Sequence, residues 1–408
     1  MYATISKRFE FSASRQVRNP SWSEVENRHF FGPAVGGHHG HGINGVVYLI
    51  FSGPIDPATG MMINISQVKA RGLDVLNARY DHRFLNVDTP PFDRIPPTAS
   101  NLARQVLDDV APLFSDTSAI PVVCHIADTD STGATAYIGG AIEEYYLIDF
   151  SAARATRSPH LTDAENQELF GQAASLHGHN YRLRVVLSGE CPRERGVMAS
   201  REQVTAALKD VRDLLDHRCL SSDFPLLADM PTTTESLVRF IYDRLAGQLP
   251  VARVRLHEME NFFAECDKDH RISLGLSGSF HAAHCLHSTR LSEAENEAAY
   301  GKCARENGHG HQYQVEATVG GAFDERSGTL FRLDRFSQAL NQAIEPWSYK
   351  HLNLETDDFK DMPTSGEHII SKLWARLDPL LDNRLTRLRL WETPNNRFTL
   401  RSQTPTRK

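Results

Sequence analysis

The stretch from Phe280 to Tyr313 reads FHAAHCLHSTRLSEAENEAAYGKCARENGHGHQY, and three of its histidines have a distinctive spacing. His309 and His311 stand two residues apart in a segment of alternating polarity, so they point to the same face of a strand. His284 follows an earlier alternating segment and offers a third nitrogen. Three imidazoles with an open fourth position are typical of a catalytic zinc site. The alternative is a set of buried, hydrogen-bonded histidines.

The landmarks of this stretch occur three times along the 408 residues, near one third of the chain length apart. A fixed repeat interval indicates a triplicated domain. We place the units at residues 1–139, 140–268 and 269–408. The landmarks are a Phe-x-Ala segment, a His-Gly-His tripeptide and an Asp-His or similar pair, which begin at Phe11, His39 and Asp81, at Phe150, His177 and Asp216, and at Phe280, His309 and Lys350.

Each unit shows the same order of periodic segments. Two segments in which polar and apolar residues alternate with a period of two predict two strands. Apolar residues at helical spacing, such as Leu333, Phe336 and Leu340, predict a helix after them. A second helix and two short strands complete the unit. The order ββααββ predicts an antiparallel α+β domain. Because the linkers are minimal, we expect the sheets of successive units to lie side by side.

The first two units differ from the third at the position of His284. Arg15 and Arg154 stand there, and a guanidinium stays protonated and cannot ligate a cation. Units 1 and 2 are therefore predicted to hold no zinc.

Composition limits the class of protein. The net charge of −7, with no basic stripe, argues against nucleic acid as a partner. No apolar run approaches the roughly 18 residues of a membrane span, and the first residues do not resemble a secretion signal. We expect a cytoplasmic protein. Its six scattered cysteines do not indicate a disulfide framework.

The stretch Phe280–Tyr313 and the later segment LWETPNNRF, from Leu390, resemble the 6-pyruvoyltetrahydropterin synthase family, and the relative 6-carboxytetrahydropterin synthase shares most motifs. The resemblance covers each unit once. It implies the tunnelling (T-) fold, in which three ββααββ units close a twelve-stranded antiparallel barrel with the helices outside. Two barrels stack in the family, so a homodimer of pseudo-trimers is expected.

The same resemblance implies a zinc-dependent lyase that acts on the pterin triphosphate 7,8-dihydroneopterin triphosphate and eliminates triphosphate. The resemblance implies that His284, His309 and His311 bind the zinc and that Cys303 is the catalytic thiolate. Zinc and nearby positive charge would lower the thiol pKa. Substrate binding falls on Glu392, matched to the pterin-anchoring glutamate, with Glu258 its counterpart in unit 2. The pairs Thr232/Glu235 and Thr364/Glu367 fit either the Thr-Glu segment of the family or a helix capping box.

The departures from the family motif suggest a division of labour. Unit 3 alone has the third histidine and the cysteine, but Lys350 replaces the aspartate of its Asp-His pair. A neighbouring unit would then supply that pair. Asp216 and His217 are the first choice, because unit 2 also keeps Thr234, Glu235 and Glu258, and Asp81 and His82 are the second.

Two other functions stay open. One is the 6-carboxytetrahydropterin synthase reaction, which serves a queuosine-type pathway; the other is a non-catalytic pterin- or purine-binding protein with structural zinc. The position of Cys303 relative to the His-Gly-His favours the pyruvoyl reaction over the carboxy reaction.

Overall fold

The computed structural model describes residues 2–223 and 229–402, so residue 1 of the first predicted unit and residues 403–408 of the last lie outside the described part. The strands are β1 (Tyr2–Arg15), β2 (His41–Ser52), β3 (Arg83–Phe84), β4 (Ile120–Ala127), β5 (Thr132–Tyr137), β6 (Ile142–Arg154), β7 (His177–Ser188), β8 (Arg218–Cys219), β9 (Val251–Met259), β10 (Phe262–Asp267), β11 (Ile272–His284), β12 (His309–Gly320), β13 (Lys350–His351), β14 (Leu385–Thr393) and β15 (Asn396–Arg401). The α-helices are α1 (Glu24–Phe31), α2 (Ile65–Arg79), α3 (Leu85–Asp88), α4 (Ala99–Val110), α5 (Asp163–Phe170), α6 (Arg201–Leu215), α7 (Thr234–Ala246), α8 (Glu293–Tyr300), α9 (Leu333–Ile344), α10 (Leu352–Glu355) and α11 (Gly366–Leu380).

The twelve longer strands form one closed antiparallel barrel, four from each unit. Their order is β10-β9-β7-β6-β5-β4-β2-β1-β15-β14-β12-β11, and β10 pairs with β11 to close the ring. Units meet where β5 pairs with β6, β10 with β11, and β15 with β1. The predicted barrel of three tandem units is confirmed.

Each unit has the predicted ββααββ order with two additions common to all three, and units 1 and 3 also have a four-residue helix, α3 or α10. A short helix (α1, α5 or α8) lies in the loop after the first strand and begins at a Ser or Thr capping box. A two-residue strand (β3, β8 or β13) pairs in parallel with the first strand of its unit. This pairing returns the chain to the barrel wall between the two long helices.

Strand residues alternate between two faces of the wall. In β9, Val254 and Leu256 are fully buried in the core shared with α7, whereas Arg253 and Arg255 point the other way. A ring of twelve strands is about 24 Å across between backbones, too narrow for six long helices of about 10 Å each. The helices therefore cover the outer, apolar face, and the polar face lines the interior.

Candidate active site

Three histidines of unit 3 converge where β11 ends and β12 begins. His284 pairs with His309 across the ladder, and His311 lies two residues further along β12. The three ring centroids are 4.6 to 5.3 Å apart, and one nitrogen of each ring lies within 4.8 Å of the others. The structure thus brings together the three residues that the sequence predicts as zinc ligands. We call them the histidine triad.

The backbone before α11 orients the triad. The Thr364 carbonyl oxygen lies 2.9 Å from His284 Nδ1, and because a carbonyl only accepts, Nδ1 carries the proton. The Nε2 atoms of His284 and His311 are buried and have no hydrogen-bond partner among the described residues. Burial lowers the pKa of His284 to about 3, so this ring is neutral at pH 7. A neutral His284 fixed by a backbone carbonyl, together with the unpartnered Nε2 atoms of His284 and His311, fits a bound divalent cation.

A carboxylate borders the triad on β14. Glu392 Oε1 lies 3.7 Å from His284 Nε2 and 3.9 Å from His311 Nε2, distances too long for hydrogen bonds. Its other oxygen, Oε2, lies 3.4 Å from Asn396 Nδ2. The Oε1 atom is therefore placed to meet a ligand that reaches the triad.

Cys303 lies in the turn Gly301–Ala304, between α8 and β12, and is half-buried. Burial and the charge of Glu392 raise the pKa of its thiol, and Lys302 opposes them. Glu392 is therefore a neighbour of both the thiol and the triad. The expected low thiol pKa does not come from the protein's own groups, so it would have to come from a cation held by the triad.

In unit 2 an arginine stands in the place of His284. Arg154 pairs with His177 across the ladder, as His284 pairs with His309, and only 2% of its surface is exposed. Its Nη2 lies 2.6 Å from Glu258 Oε2 and 2.9 Å from the hydroxyl of Thr234, which itself bonds Glu258.

The remaining histidine of this cluster also meets the carboxylate, because His179 Nε2 lies 2.9 Å from Glu258 Oε1. Burial opposes ionisation of Glu258, but Arg154 and its other partners hold the pKa of that carboxyl at about 2. His177, His179 and Glu258 are close enough to hold a cation. The fixed charge of Arg154, bonded to the same carboxylate, opposes one.

Unit 1 repeats this substitution with a shorter acid. Arg15 pairs with His41 across the ladder, and its Nη2 lies 2.7 Å from Asp128 Oδ2. Its Nη1 donates to the Pro97 carbonyl at 2.7 Å. Both units thus have a buried arginine–carboxylate pair where unit 3 has His284 and Glu392.

The structure corrects the alignment of the Asp-His pairs. His82, His217 and Tyr349 each have a positive φ of 55 to 58°, and each donates its backbone N–H at 2.6 Å to the first strand of its unit. Tyr349, not His351, is therefore the counterpart of the two histidines, and Ser348 replaces the aspartate. The assignment of Lys350 to the aspartate position is wrong by two residues, because the shared histidine at position 351 misled the alignment. Unit 3 has lost both members of the pair.

The two Asp-His pairs lie on the protein surface. His82 is 83% exposed and 2.7 Å from Asp81, and His217 is 82% exposed and 3.0 Å from Asp216. Backbone N–H groups of Ser12 and Ser151, near the ends of β1 and β6, bond the two aspartates. No contact among residues 2–223 and 229–402 joins either pair to the triad or to Cys303.

Unit 1 closes one side of the site in unit 3. The Met62 N–H donates to Glu367 Oε1 at 2.7 Å, and the Ser365 hydroxyl donates to the Gly60 carbonyl at 2.7 Å. Glu367 is buried, and burial raises its pKa to about 7. Glu235 has the same place in unit 2, where Leu330 of unit 3 donates to it at 3.2 Å.

These contacts exclude the capping-box interpretation of both glutamates. The N-caps of α7 and α11 are Thr233 and Ser365, which accept from Ser236 and His368. The glutamates, one residue too early for a capping box, bind the backbone of the neighbouring unit instead. Sequence analysis left Glu367 open between the Thr-Glu segment and a capping box, and the structure shows it in contact with unit 1 instead of capping its helix.

Comparisons with known proteins define the family. The family model described as 6-pyruvoyl tetrahydropterin synthase matches residues 4–137, 146–269 and 274–403. The chain therefore belongs to the 6-pyruvoyl tetrahydropterin synthase family, with three copies in tandem, and membership supports a pterin synthase or lyase activity.

Individual relatives match about one unit each. The 6-pyruvoyl tetrahydrobiopterin synthase of Pongo abelii is 36% identical over 120 residues, which are 29% of this chain and 83% of that protein. The Drosophila melanogaster enzyme is 34% identical over 130 residues, 31% of this chain and 77% of its own. The solved 6-pyruvoyl tetrahydropterin synthase of Caenorhabditis elegans is 30% identical, with a TM-score of 0.32, and covers 33% of this chain and 96% of its own. In the described part of the chain, no helix is long and apolar enough to cross a membrane.

Proposed function

We propose that this chain is a zinc-dependent lyase of the 6-pyruvoyltetrahydropterin synthase type, which acts on 7,8-dihydroneopterin triphosphate and eliminates triphosphate. The residues for zinc and for the base would lie in unit 3, at the boundary with unit 1. The observation that carries the proposal is the joint position of the histidine triad, Glu392 and Cys303. Units 1 and 2 have a buried arginine in that place.

The triad is suited to zinc because one nitrogen of each ring lies within 4.8 Å of the others and a backbone carbonyl holds the neutral ring of His284 in place. When bound by these three imidazoles, zinc would keep a coordination position open and polarise an oxygen of the substrate side chain. The Thr364 carbonyl keeps His284 in the tautomer that leaves Nε2 free to bind a metal. Loss of any one histidine would leave too few ligands for tight binding.

Cys303 is the proposed base that takes a proton from the substrate side chain. It shares Glu392 as a neighbour with the triad, so a substrate oxygen at the triad would bring the adjacent carbon close to the thiol. The thiolate form requires a lowered pKa, which the protein's own groups do not provide.

Two carboxylates are proposed to bind the pterin ring. Glu392 borders the triad, and Glu367 lies deeper, where the negative charge of Glu392 adds to burial in raising its pKa. A carboxylate accepts two N–H bonds from a guanidine-like ring edge. In unit 2 the counterpart of Glu392, Glu258, is bound by Arg154, so we place substrate binding in unit 3.

The second proton-transfer group is proposed to be an Asp-His pair of a second chain. The triad lies at the end of β11, and Asp81-His82 and Asp216-His217 lie near the ends of the equivalent strands β1 and β6. All of them are therefore at one end of the barrel. Two chains stacked through this end would bring the exposed pairs of one over the triad of the other, and each aspartate would orient its histidine.

The direct test is incubation of the zinc-loaded protein with 7,8-dihydroneopterin triphosphate, followed by mass spectrometry of the products. We expect a 6-pyruvoyl product and inorganic triphosphate. A 6-carboxy product with acetaldehyde would instead identify the carboxy reaction. Absence of turnover by protein that holds zinc would favour a non-catalytic pterin-binding protein.

A further inference from the structure

The interior of the barrel carries many arginines. Strand alternation turns these side chains away from the helices, towards the inside of the ring, opposite to the face that carries the triad. His311, for example, shares its face with Tyr313 and Val315, which are buried in the core. We call the set the inner arginines; its members are Arg184, Arg253, Arg255, Arg387, Arg389, Arg397 and Arg401.

Among the described residues, three glutamates face the inner arginines. Glu143 binds Arg253 through two contacts of 2.5 and 2.6 Å, and Glu265 binds Arg255 at 2.9 Å. Glu316 lies 2.9 Å from Arg389 and is shared with two other arginines at 3.5 and 3.8 Å. Near the rim, Arg8–Glu10 and Arg182–Asp149 neutralise each other.

Three inner arginines have no carboxylate partner. Arg184, Arg397 and Arg401 make no ion pair with any described residue. The Arg184 guanidinium stacks 4.1 Å from the Tyr145 ring, and Arg397 lies 5.8 Å from that of Trp391. The Nε atom of Arg397 is buried and has no hydrogen-bond partner in the described part of the chain. An arginine inside the barrel that lacks a carboxylate partner loses part of its hydration without a compensating charge, and a bound anion would supply that charge.

Inner arginines from different units lie close to the same part of the barrel interior. Burial lowers the pKa of His125, on the unit 1 wall, to about 3, and the charges of Arg184 from unit 2 and of Arg397 and Arg389 from unit 3 add to this effect. Side chains from all three units are therefore close enough to interact across the interior. The unit 1 wall itself contributes Tyr48, His125 and Tyr137 but no inner arginine, and Arg184 on β7 stands across the ring from Arg397 on β15, six strands away.

We propose that the barrel interior binds a phosphate-class oligoanion, held by Arg184, Arg397 and Arg401. Arginine forks bind phosphate oxygens in pairs and are favoured where several charges must be met at once. Arg401 is exposed to solvent and Arg184 and Arg397 are half-buried, so an anion reaches them from the end of the barrel. The site lies on the opposite face of the wall from the triad and does not depend on the proposed reaction.

Calorimetric titration of the whole protein with inorganic tripolyphosphate tests the site. We expect Arg397→Gln and, separately, Arg184→Gln to weaken binding about tenfold or more, the usual worth of a charged hydrogen bond. The control Arg244→Gln removes the same charge on the outer helix α7, where Arg244 pairs with Asp210, and should change affinity less than about twofold. Binding should also persist in His311→Ala, which disables the triad.

Thermal unfolding supplies a second measurement. Without anion, Arg397→Gln should unfold at a higher midpoint temperature than the wild type, because the substitution relieves repulsion among the inner arginines. Tripolyphosphate should then stabilise this variant less than it stabilises the wild type. If that variant does not fold, Arg401→Gln replaces it. The proposal is overturned if the wild type does not bind tripolyphosphate, if Arg397→Gln and Arg244→Gln bind it equally, or if His311→Ala abolishes binding.

Discussion

Arg154 and His284 occupy the same place in their units, each at the end of a strand and each opposite the first histidine of a His-Gly-His tripeptide. The imidazole of His284 has an unpartnered nitrogen close to those of His309 and His311, whereas the guanidinium of Arg154 binds Glu258. The exchange of histidine for arginine at this place thus distinguishes the open site of unit 3 from the closed site of unit 2. The fixed positive charge of the arginine takes the place of a cation and satisfies the carboxylate that would border it.

The first prediction concerns zinc content. We expect about one zinc per wild-type chain, because unit 3 alone has three histidine ligands. Arg154→His should raise the content to about two, since the new imidazole would complete a set with His177 and His179. Elemental analysis of dialysed protein measures both. Arg244→His, on the outer surface, is the matched control, and a wild-type content of about three would contradict the assignment.

The second prediction concerns the thiol. Cys303→Ala should lower turnover at least about 100-fold, as expected for loss of a general base, and should leave the zinc content unchanged. The control Cys266→Ala removes a cysteine buried in the core of unit 2 and should keep wild-type turnover. Full activity of Cys303→Ala would exclude the cysteine as the base.

The third prediction concerns the Asp-His pairs. A chain with both His82→Ala and His217→Ala should be inactive, because unit 3 has Ser348 and Tyr349 at these positions. Mixing it with the inactive Cys303→Ala chain under conditions of chain exchange should restore activity, since a mixed dimer would have one complete site. Unchanged activity of the double variant would exclude both pairs. A mixed dimer that stays inactive would mean that the pair acts within its own chain.

The fourth prediction concerns acid stability. The pKa of Glu258 is about 2 in the folded protein, below the ordinary value of 4.5. The stability it contributes is therefore fully present above pH 4.5 and is lost as the pH falls towards 2. Glu258→Gln should reduce the acid-induced loss of unfolding free energy by about 3 kcal/mol.

Chemical unfolding across this pH range measures the effect. Glu325→Gln is the control, because Glu325 forms an exposed pair with Arg239 and should change the loss by less than about 1 kcal/mol. Equal acid sensitivity of Glu258→Gln and the wild type would show that the buried pair does not contribute.

Much of the site was predictable because its signals are local. Two histidines at i and i+2 share a strand face by covalent geometry, and three copies of one pattern identify His284, Arg15 and Arg154 as equivalent. The ββααββ order followed from the same periodicity, whereas the closed barrel was expected from the family resemblance. The Asp-His alignment failed because His351 was matched by residue type. The true counterpart is Tyr349, which the left-handed φ of its backbone reveals and its residue type does not.

The sequence alone determined the triplication, the ββααββ order and the residues of the triad, since each depends on spacing within a short stretch. The tertiary structure decided what depends on contacts between units. In the folded chain Met62 of unit 1 contacts Glu367, Arg154 binds Glu258, and the inner arginines face the interior of the barrel. These relationships join residues far apart in the chain, and closure of the ring, which no local pattern encodes, brings them together.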